Sequence, residues 1–231
     1  MFFDQYYIML VLPTLLLSII AQGMVKSTFH KYSKIKCSRK ITGRDAARAI
    51  LQANSIKDVA VESVAGSLTD HYDPRSKKLR LSAPVFSENS IAALGVAAHE
   101  AGHAIQHAKG YGPLILRSTL VPAANIGSCF GPLLAIVGLM FTEDSSQSPL
   151  FLIGILLFSA AVLFYLVTLP VEFNASSRAL ALLESGNMLT RDELDGAKKV
   201  LTAAALTYVA SALTAVMSLL RLILIARGRR R

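Results

Sequence analysis

The chain of 231 residues contains four long apolar runs separated by polar segments. The runs are Tyr6 to Val25, Leu120 to Phe141, Pro149 to Pro170 and Val200 to Ala226. A spanning helix needs about 20 predominantly apolar residues, so each run is long enough to cross a bilayer. The second and third are separated only by "TEDSSQS", which predicts a membrane hairpin. The pattern therefore indicates a multipass α-helical membrane protein.

The runs divide the chain into five predicted segments. They are an N-terminal anchor (1–25), a domain (26–118), the hairpin (119–170), a helical segment (171–199) and a fourth membrane segment with a basic tail (200–231). The residues before the first run, "MFFDQ", contain no Lys or Arg. We therefore expect a retained anchor rather than a cleaved signal peptide.

The polar segment 26–118 combines helical and strand patterns. "TGRDAARAILQANSI" predicts a helix with Thr42 as its N-cap. "VAVESVAG" and "KKLRLS" predict strands, joined through "SLTDHYDPRS", in which Asp73 and Pro74 indicate a turn. A further helix is expected from about Ser90 to Lys109, with Ser87 or Asn89 near its start and Gly110 after its end. The segment is therefore a small α+β domain.

The last of these helices contains "HEAGH", from His99 to His103. Histidines at i and i+4 lie on one face of a helix, one turn apart, so both can point a nitrogen at one ion. Glu100 is rotated away by one residue, which suits a general base acting on water rather than a ligand. The alternative is a helix whose histidines are satisfied by neighbouring side chains.

A catalytic zinc needs a third protein ligand and an open position. His107 continues the spacing, but eight residues of helix rise about 12 Å, too far for it to share an ion with His99. Glu172 is the better candidate, because a hairpin returns the chain to the face it left. Two alternatives stay open, which are an interfacial Glu172 paired with Arg178 and an intramembrane protease of the site-2 type using Asp195 in "ELDGA".

Charge predicts an orientation. The net charge is +9, and positively charged loops stay in the cytoplasm. Two basic stretches flank the membrane runs, whereas the hairpin connection carries Glu143 and Asp144, so we expect the site on the cytoplasmic face. If all four runs cross the membrane, however, the terminal "RGRRR" would lie outside, against the same rule. Anionic lipid is the expected partner of the basic flanks, and no basic-aromatic pattern suggests nucleic acid. The bases are Lys26, Lys31, Lys34, Lys36, Arg39, Lys40, Arg178, Arg191, Lys198 and Lys199.

Four stretches together resemble the YugP-like membrane neutral zinc metallopeptidases. They are "LTDHYDPRSKKLRLS", "VAAHEAGHAIQH", "LPVEFNASSRAL" and "VLTAAALTYVASAL". The resemblance implies a zincin-like domain at the membrane face, one Zn²⁺ per chain, ligands His99, His103 and Glu172, and Glu100 as the base. A looser similarity to the HtpX-like proteases places Ser176 where those enzymes carry an aspartate.

We therefore predict a zinc endopeptidase of the cell membrane that cuts membrane or membrane-proximal proteins. His71, Tyr72 and Arg178 are candidate auxiliary residues that could stabilise the oxyanion. The strand "KKLRLSA" could also pair with an extended substrate. The alternative from another class is a proteolytically inactive zinc-binding membrane scaffold. The oligomeric state and the substrate are not encoded in any recognisable pattern.

Overall fold

The structure is a computed structural model that describes residues 4–141 and 148–228. These residues form seven α-helices and three strands, so the protein is mostly helical. Glu143, Asp144 and the last three arginines, on which part of the predicted orientation rests, lie outside the described residues.

Four helices are long and apolar enough to cross a membrane. The first consists of a π-helical turn, Tyr7–Val11, that continues into α1, Leu12–Ser33. The others are α5 (Gly112–Phe141), α6 (Pro149–Ser185) and α7 (Arg191–Gly228). Each is longer than its apolar run, because the helical backbone continues into the polar sequence. The expected apolar helices are confirmed.

One compact unit comprises Met1–Ala21, Ile115–Pro170 and Thr207–Arg231. Within it, α5 and α6 pack backbone to backbone. A Cβ atom on Gly127 would lie 2.0 Å from the carbonyl oxygen of Leu157, so a larger residue would separate the two helices. Small residues serve this purpose between membrane helices, where lipid supplies no hydrophobic driving force.

The same unit contains a charged pair inside its helical bundle. An Nη of Arg221 donates to Asp4 at 2.6 Å, and its guanidinium lies 5.2 Å from the centre of the Tyr7 ring. Arg221 therefore has a carboxylate partner within the helical unit. Pairing reduces the cost of holding a cation at this position.

The second unit comprises Gln22–Leu114 and Val171–Leu206 and contains the predicted α+β segment. Helix α2 spans Gly43–Ala53, and Thr42 caps it through a reciprocal bond with Asp45, as predicted. Helix α3 spans Ala83–Ser87 and α4 spans Ile91–Ala108. Ser90 caps α4 by accepting the N–H of Ala93 at 3.2 Å, so the helix begins within one residue of the expected start.

The sheet has three strands in the order β1-β3-β2. β1 (Ala60–Val64) runs parallel to β3 (Lys78–Ser82), and β2 (His71–Asp73) runs antiparallel to it. The sequence assigned β2 to a connection. Because β3 is paired on both sides over Lys78 to Arg80, it cannot add a substrate strand there. Its Leu79 and Leu81 enter the core that also holds Leu94 of α4.

Candidate metal centre

Small residues let α4 approach α6 closely. Ala97, Ala98 and Ala101 are fully buried. A Cβ atom on Gly102 would lie 2.9 Å from the carbonyl oxygen of Ala175 on α6, so glycine permits this contact. The same stretch of α6 carries Glu172, two residues after the end of the third apolar run. The close approach therefore brings a carboxylate to the histidine face of α4.

His99, His103 and Glu172 form a cluster whose potential ligand atoms all lie within 4.8 Å of one another. One Glu172 oxygen, Oε2, lies 3.2 Å from Nε2 of His99 and 3.5 Å from Nε2 of His103. The two imidazole rings are edge to face, with centroids 4.7 Å apart. Glu172 is 2 % exposed and His103 is 9 % exposed, so the cluster is largely buried.

These distances fit a zinc ion. Two ligands bound at about 2.0–2.1 Å in a tetrahedral arrangement lie about 3.3 Å apart. The separations of Glu172 Oε2 from the two imidazole nitrogens, 3.2 Å and 3.5 Å, bracket that value, and all the potential ligand atoms lie within 4.8 Å. The donor set is two imidazole nitrogens and one carboxylate oxygen, which leaves a fourth position for water. The cluster could therefore bind a metal ion.

A buried amide orients His103. Its Nδ1 lies 3.0 Å from Oε1 of Gln106, while Nε2 of Gln106 donates to the carbonyl of Val171 and to Oδ1 of Asn174. Because both N–H groups of the amide are used, Oε1 must accept a proton from Nδ1 of His103. Nε2 of the imidazole then carries the lone pair, directed at the cluster.

Arg178 extends this network. Its Nε donates to Oδ1 of Asn174 at 2.7 Å, so Asn174 accepts from Arg178 and Gln106 together. The predicted auxiliary residue Arg178 is thus linked to His103 through the side chains of Asn174 and Gln106. The alternative pairing of Glu172 with Arg178 receives no support, since Glu172 faces the histidines.

Ser176 orients the other histidine. Its hydroxyl lies 3.1 Å from Nδ1 of His99, one helical turn after Glu172. A hydroxyl can accept the Nδ1 proton and leave Nε2 free for a ligand bond. The position at which HtpX-like proteases carry an aspartate is therefore filled by a weaker, neutral partner of the same histidine.

The local charges act on His103. Burial lowers its pKa, but the hydrogen bond to Glu172 and the charges of Glu100 and Glu172 outweigh burial, so the net pKa is raised. A raised pKa means that the metal-free site holds a proton on His103 more tightly than a solvated imidazole would. A metal ion must displace that proton to bind.

Glu100 lies on the same helix, next to His99, and its charge interacts with His103. It is 8 % exposed, and its carboxylate has no hydrogen-bonding partner in the described parts of the chain. Asp70 lies close enough for the two charges to interact. Burial raises the pKa of Asp70, the hydrogen bonds from Ser82 lower it, and the charge of Glu100 raises it further, with a net increase.

The remaining sequence candidates lie outside the cluster. His107 is exposed, and its Nδ1 is 2.8 Å from the hydroxyl of Tyr72. His71 is exposed and bonds the carbonyl of Thr69 at 2.8 Å. Asp195 is exposed and lines a separate groove. The three-residue cluster found in the described residues is His99, His103 and Glu172. It therefore contains none of the candidates His71, Tyr72, His107 and Asp195.

The sequence did not reveal Gln106, Asn174 or Asp70. A signal existed for Gln106, since a polar side chain three residues after a ligating histidine lies on the same helical face. It is fully buried, which requires partners. Asn174 and Asp70 depend on which helix and strand meet α4, and no local pattern records that.

A family described as "Putative neutral zinc metallopeptidase" matches residues 7–227. The chain belongs to this family. A relative named "Putative membrane protease YugP", from Bacillus subtilis (strain 168), is 49% identical over 219 residues, covering 95% of this chain and 96% of the relative. No solved structure matches. The family resemblance seen in the sequence is confirmed, and the four motifs that carried it lie inside the matched region.

Proposed function

We propose that this chain is a membrane-bound zinc endopeptidase. One observation carries the proposal, which is the convergence of His99, His103 and Glu172, whose potential ligand atoms lie within 4.8 Å of one another, on the helix that also carries Glu100. A structural zinc site is closed by four protein ligands, whereas this cluster offers three. The open position and the adjacent carboxylate are what hydrolysis requires.

When bound, zinc lowers the pKa of a coordinated water and polarises the scissile carbonyl. Glu100 takes the proton as the water attacks and then delivers it to the leaving amine. His99 and His103 keep their Nε2 atoms in place because Ser176 and Gln106 hold their Nδ1 protons. Glu172 contributes a negative charge that offsets part of the metal charge.

The substrate class follows from the position of Glu172. This ligand comes two residues after Pro170, the end of an apolar run long enough to span a bilayer. We therefore expect cleavage of membrane proteins, or of their exposed segments, close to the bilayer surface.

The decisive experiment compares Glu100→Gln with Glu184→Gln, an exposed glutamate on the same helix as Glu172. Each full-length protein is purified in detergent, its zinc is quantified, and an unstructured membrane-tethered polypeptide is offered as substrate. Loss of the general base should reduce cleavage by about 10²- to 10⁴-fold with zinc content unchanged. Glu184→Gln should behave as wild type. If wild type and both variants contain zinc but none of them cleaves the substrate, the protease proposal is contradicted. The zinc-binding scaffold would then be the better account.

We also propose that the site faces the cytoplasm, because the two basic stretches belong to the segments that carry it. Ser87 and Gln5 are exposed, and each can be changed to cysteine after removal of Cys37 and Cys129. A membrane-impermeant maleimide should label Gln5→Cys in intact cells and Ser87→Cys only after permeabilisation. The reverse pattern would place the site outside.

A further inference from the structure

A groove of about 690 Å³ lies between α1 and α7, in the unit that also holds the histidine cluster but on other residues. On α1 its lining includes Met24 and Lys31, and on α7 it includes Lys198, Lys199 and Leu206. These positions repeat at seven to eight residues along each helix, so each set occupies one face.

The groove has an excess of positive charge. Lys31, Lys198 and Lys199 are exposed, and none of them forms an ion pair with the described residues. Lys31 lies 5.5 Å from the centre of the Tyr32 ring, which does not neutralise it. Asp195 is the one carboxylate in the lining. The local balance of formal charge is therefore three bases against one acid.

Polarity changes along the groove in the same way on both helices. Met24 is 43% exposed and Leu206 is 38% exposed, and each adjoins or lies within the apolar run of its own helix. The lysines are seven or eight residues away, outside the runs, which corresponds to about 10 Å of helix rise. One end of the groove therefore matches hydrocarbon and the other matches an anionic group.

We propose that this groove binds one acidic phospholipid, with the phosphate at the three lysines and an acyl chain along Met24 and Leu206. Lysines just beyond a membrane helix attract anionic lipid, and their aliphatic stems can cover apolar surface while the ammonium groups reach a headgroup. A soluble anion would use the lysines but would leave the apolar side chains uncovered. The site is separate from the metal cluster, so its test does not depend on proteolysis.

The test measures lipid retained by the full-length protein. Native mass spectrometry counts the lipid bound after purification in micelles doped with phosphatidylglycerol or with phosphatidylcholine of identical acyl chains. Wild type should retain phosphatidylglycerol preferentially. Lys31→Gln/Lys198→Gln/Lys199→Gln should lower that retention about a hundredfold, since each lysine near the headgroup contributes. Because the three side chains are exposed and without ion pairs, the melting temperature should not change.

The matched control is Arg48→Gln/Lys57→Gln/Lys109→Gln, which removes the same charge from exposed positions outside the groove. It should retain lipid as wild type does. Equal losses in the two variants, or equal retention of the two lipids, would overturn the proposal. Inorganic phosphate at the lipid concentration should not displace the lipid, and complete displacement would make the groove a small-anion site instead. Met24→Gln/Leu206→Asn should also weaken lipid retention, and an unchanged affinity would contradict the placement of the acyl chain.

Discussion

His103 and Gln106 are joined by a hydrogen bond of 3.0 Å whose direction is fixed by the other contacts of the amide. The side-chain amide of Gln106 donates its two N–H groups to the Val171 carbonyl and to Oδ1 of Asn174, both on α6. Its oxygen therefore accepts the hydrogen bond from His103. The packing of α4 on α6 thus sets the tautomer of His103, a candidate metal ligand. Hydrogen-bonding partners of this kind orient metal-binding histidines and tune their affinity for the metal.

Gln106→Met should lower zinc affinity by about 10- to 100-fold, the usual cost of removing a partner of a metal-bound histidine. Methionine keeps the length of the side chain but supplies neither the acceptor for His103 nor the donors to α6. Competition with a chromogenic chelator measures the affinity. Gln52→Met, at an exposed position on α2, is the control and should bind zinc as wild type does. Wild-type affinity in Gln106→Met would contradict the orienting role.

Ser176 offers a graded test of the second histidine. Ser176→Ala removes the partner of Nδ1 of His99 and should weaken zinc binding by about tenfold. Ser176→Asp supplies a charged acceptor at the same place and should bind zinc at least as tightly as wild type, because charge-assisted bonds are stronger. Isothermal titration of the metal-free proteins gives both affinities. If Ser176→Asp and Ser176→Ala weaken zinc binding equally, Ser176 does not orient His99.

Gly102 and Gly95 form a matched pair on α4. A Cβ atom on Gly102 would lie 2.9 Å from backbone oxygen, whereas on Gly95 it would make an ordinary contact of 3.4 Å with Ala197. Gly102→Ala should therefore cost about 1–3 kcal/mol through overpacking and should reduce zinc content by displacing Glu172. Gly95→Ala should be neutral or stabilising by up to about 1 kcal/mol, because alanine favours helix.

Thermal unfolding in detergent and zinc quantification separate these two variants. If Gly95→Ala proved as damaging as Gly102→Ala, the loss would reflect any added methyl group on α4, and the close contact with α6 would not explain it.

The pKa of His103 is raised in the metal-free protein. Zinc affinity should therefore increase as the pH rises through that pKa. In the metal-free protein the folded pKa lies above the ordinary value of about 6.5. The proton therefore stabilises the metal-free fold below that value, and this stability is lost as pH rises through the folded pKa. Zinc must displace the same proton, so its binding strengthens over that window. Chelator competition at several pH values would show this, and an affinity independent of pH would refute it.

The sequence predicted those parts of the candidate site that depend on spacing within one helix or on the order of the membrane helices. His99, Glu100 and His103 follow from helical spacing, and Glu172 was selected because a hairpin returns to the face it left. β2 was missed because it is only three residues long, too short for an alternating pattern. Gln106 and Asn174 could not be paired from sequence, since their contact exists only when α4 packs on α6.

The central claim is that two imidazoles from α4 and one carboxylate from α6 hold the metal. Zinc K-edge X-ray absorption, with zinc quantification of Glu172→Ala and Asp195→Ala, tests it most directly. We predict one zinc per chain with nitrogen and oxygen ligands at about 2.0–2.1 Å and no sulfur. Glu172→Ala should lose the zinc and Asp195→Ala should keep it. Full zinc in Glu172→Ala together with its loss in Asp195→Ala would contradict the account.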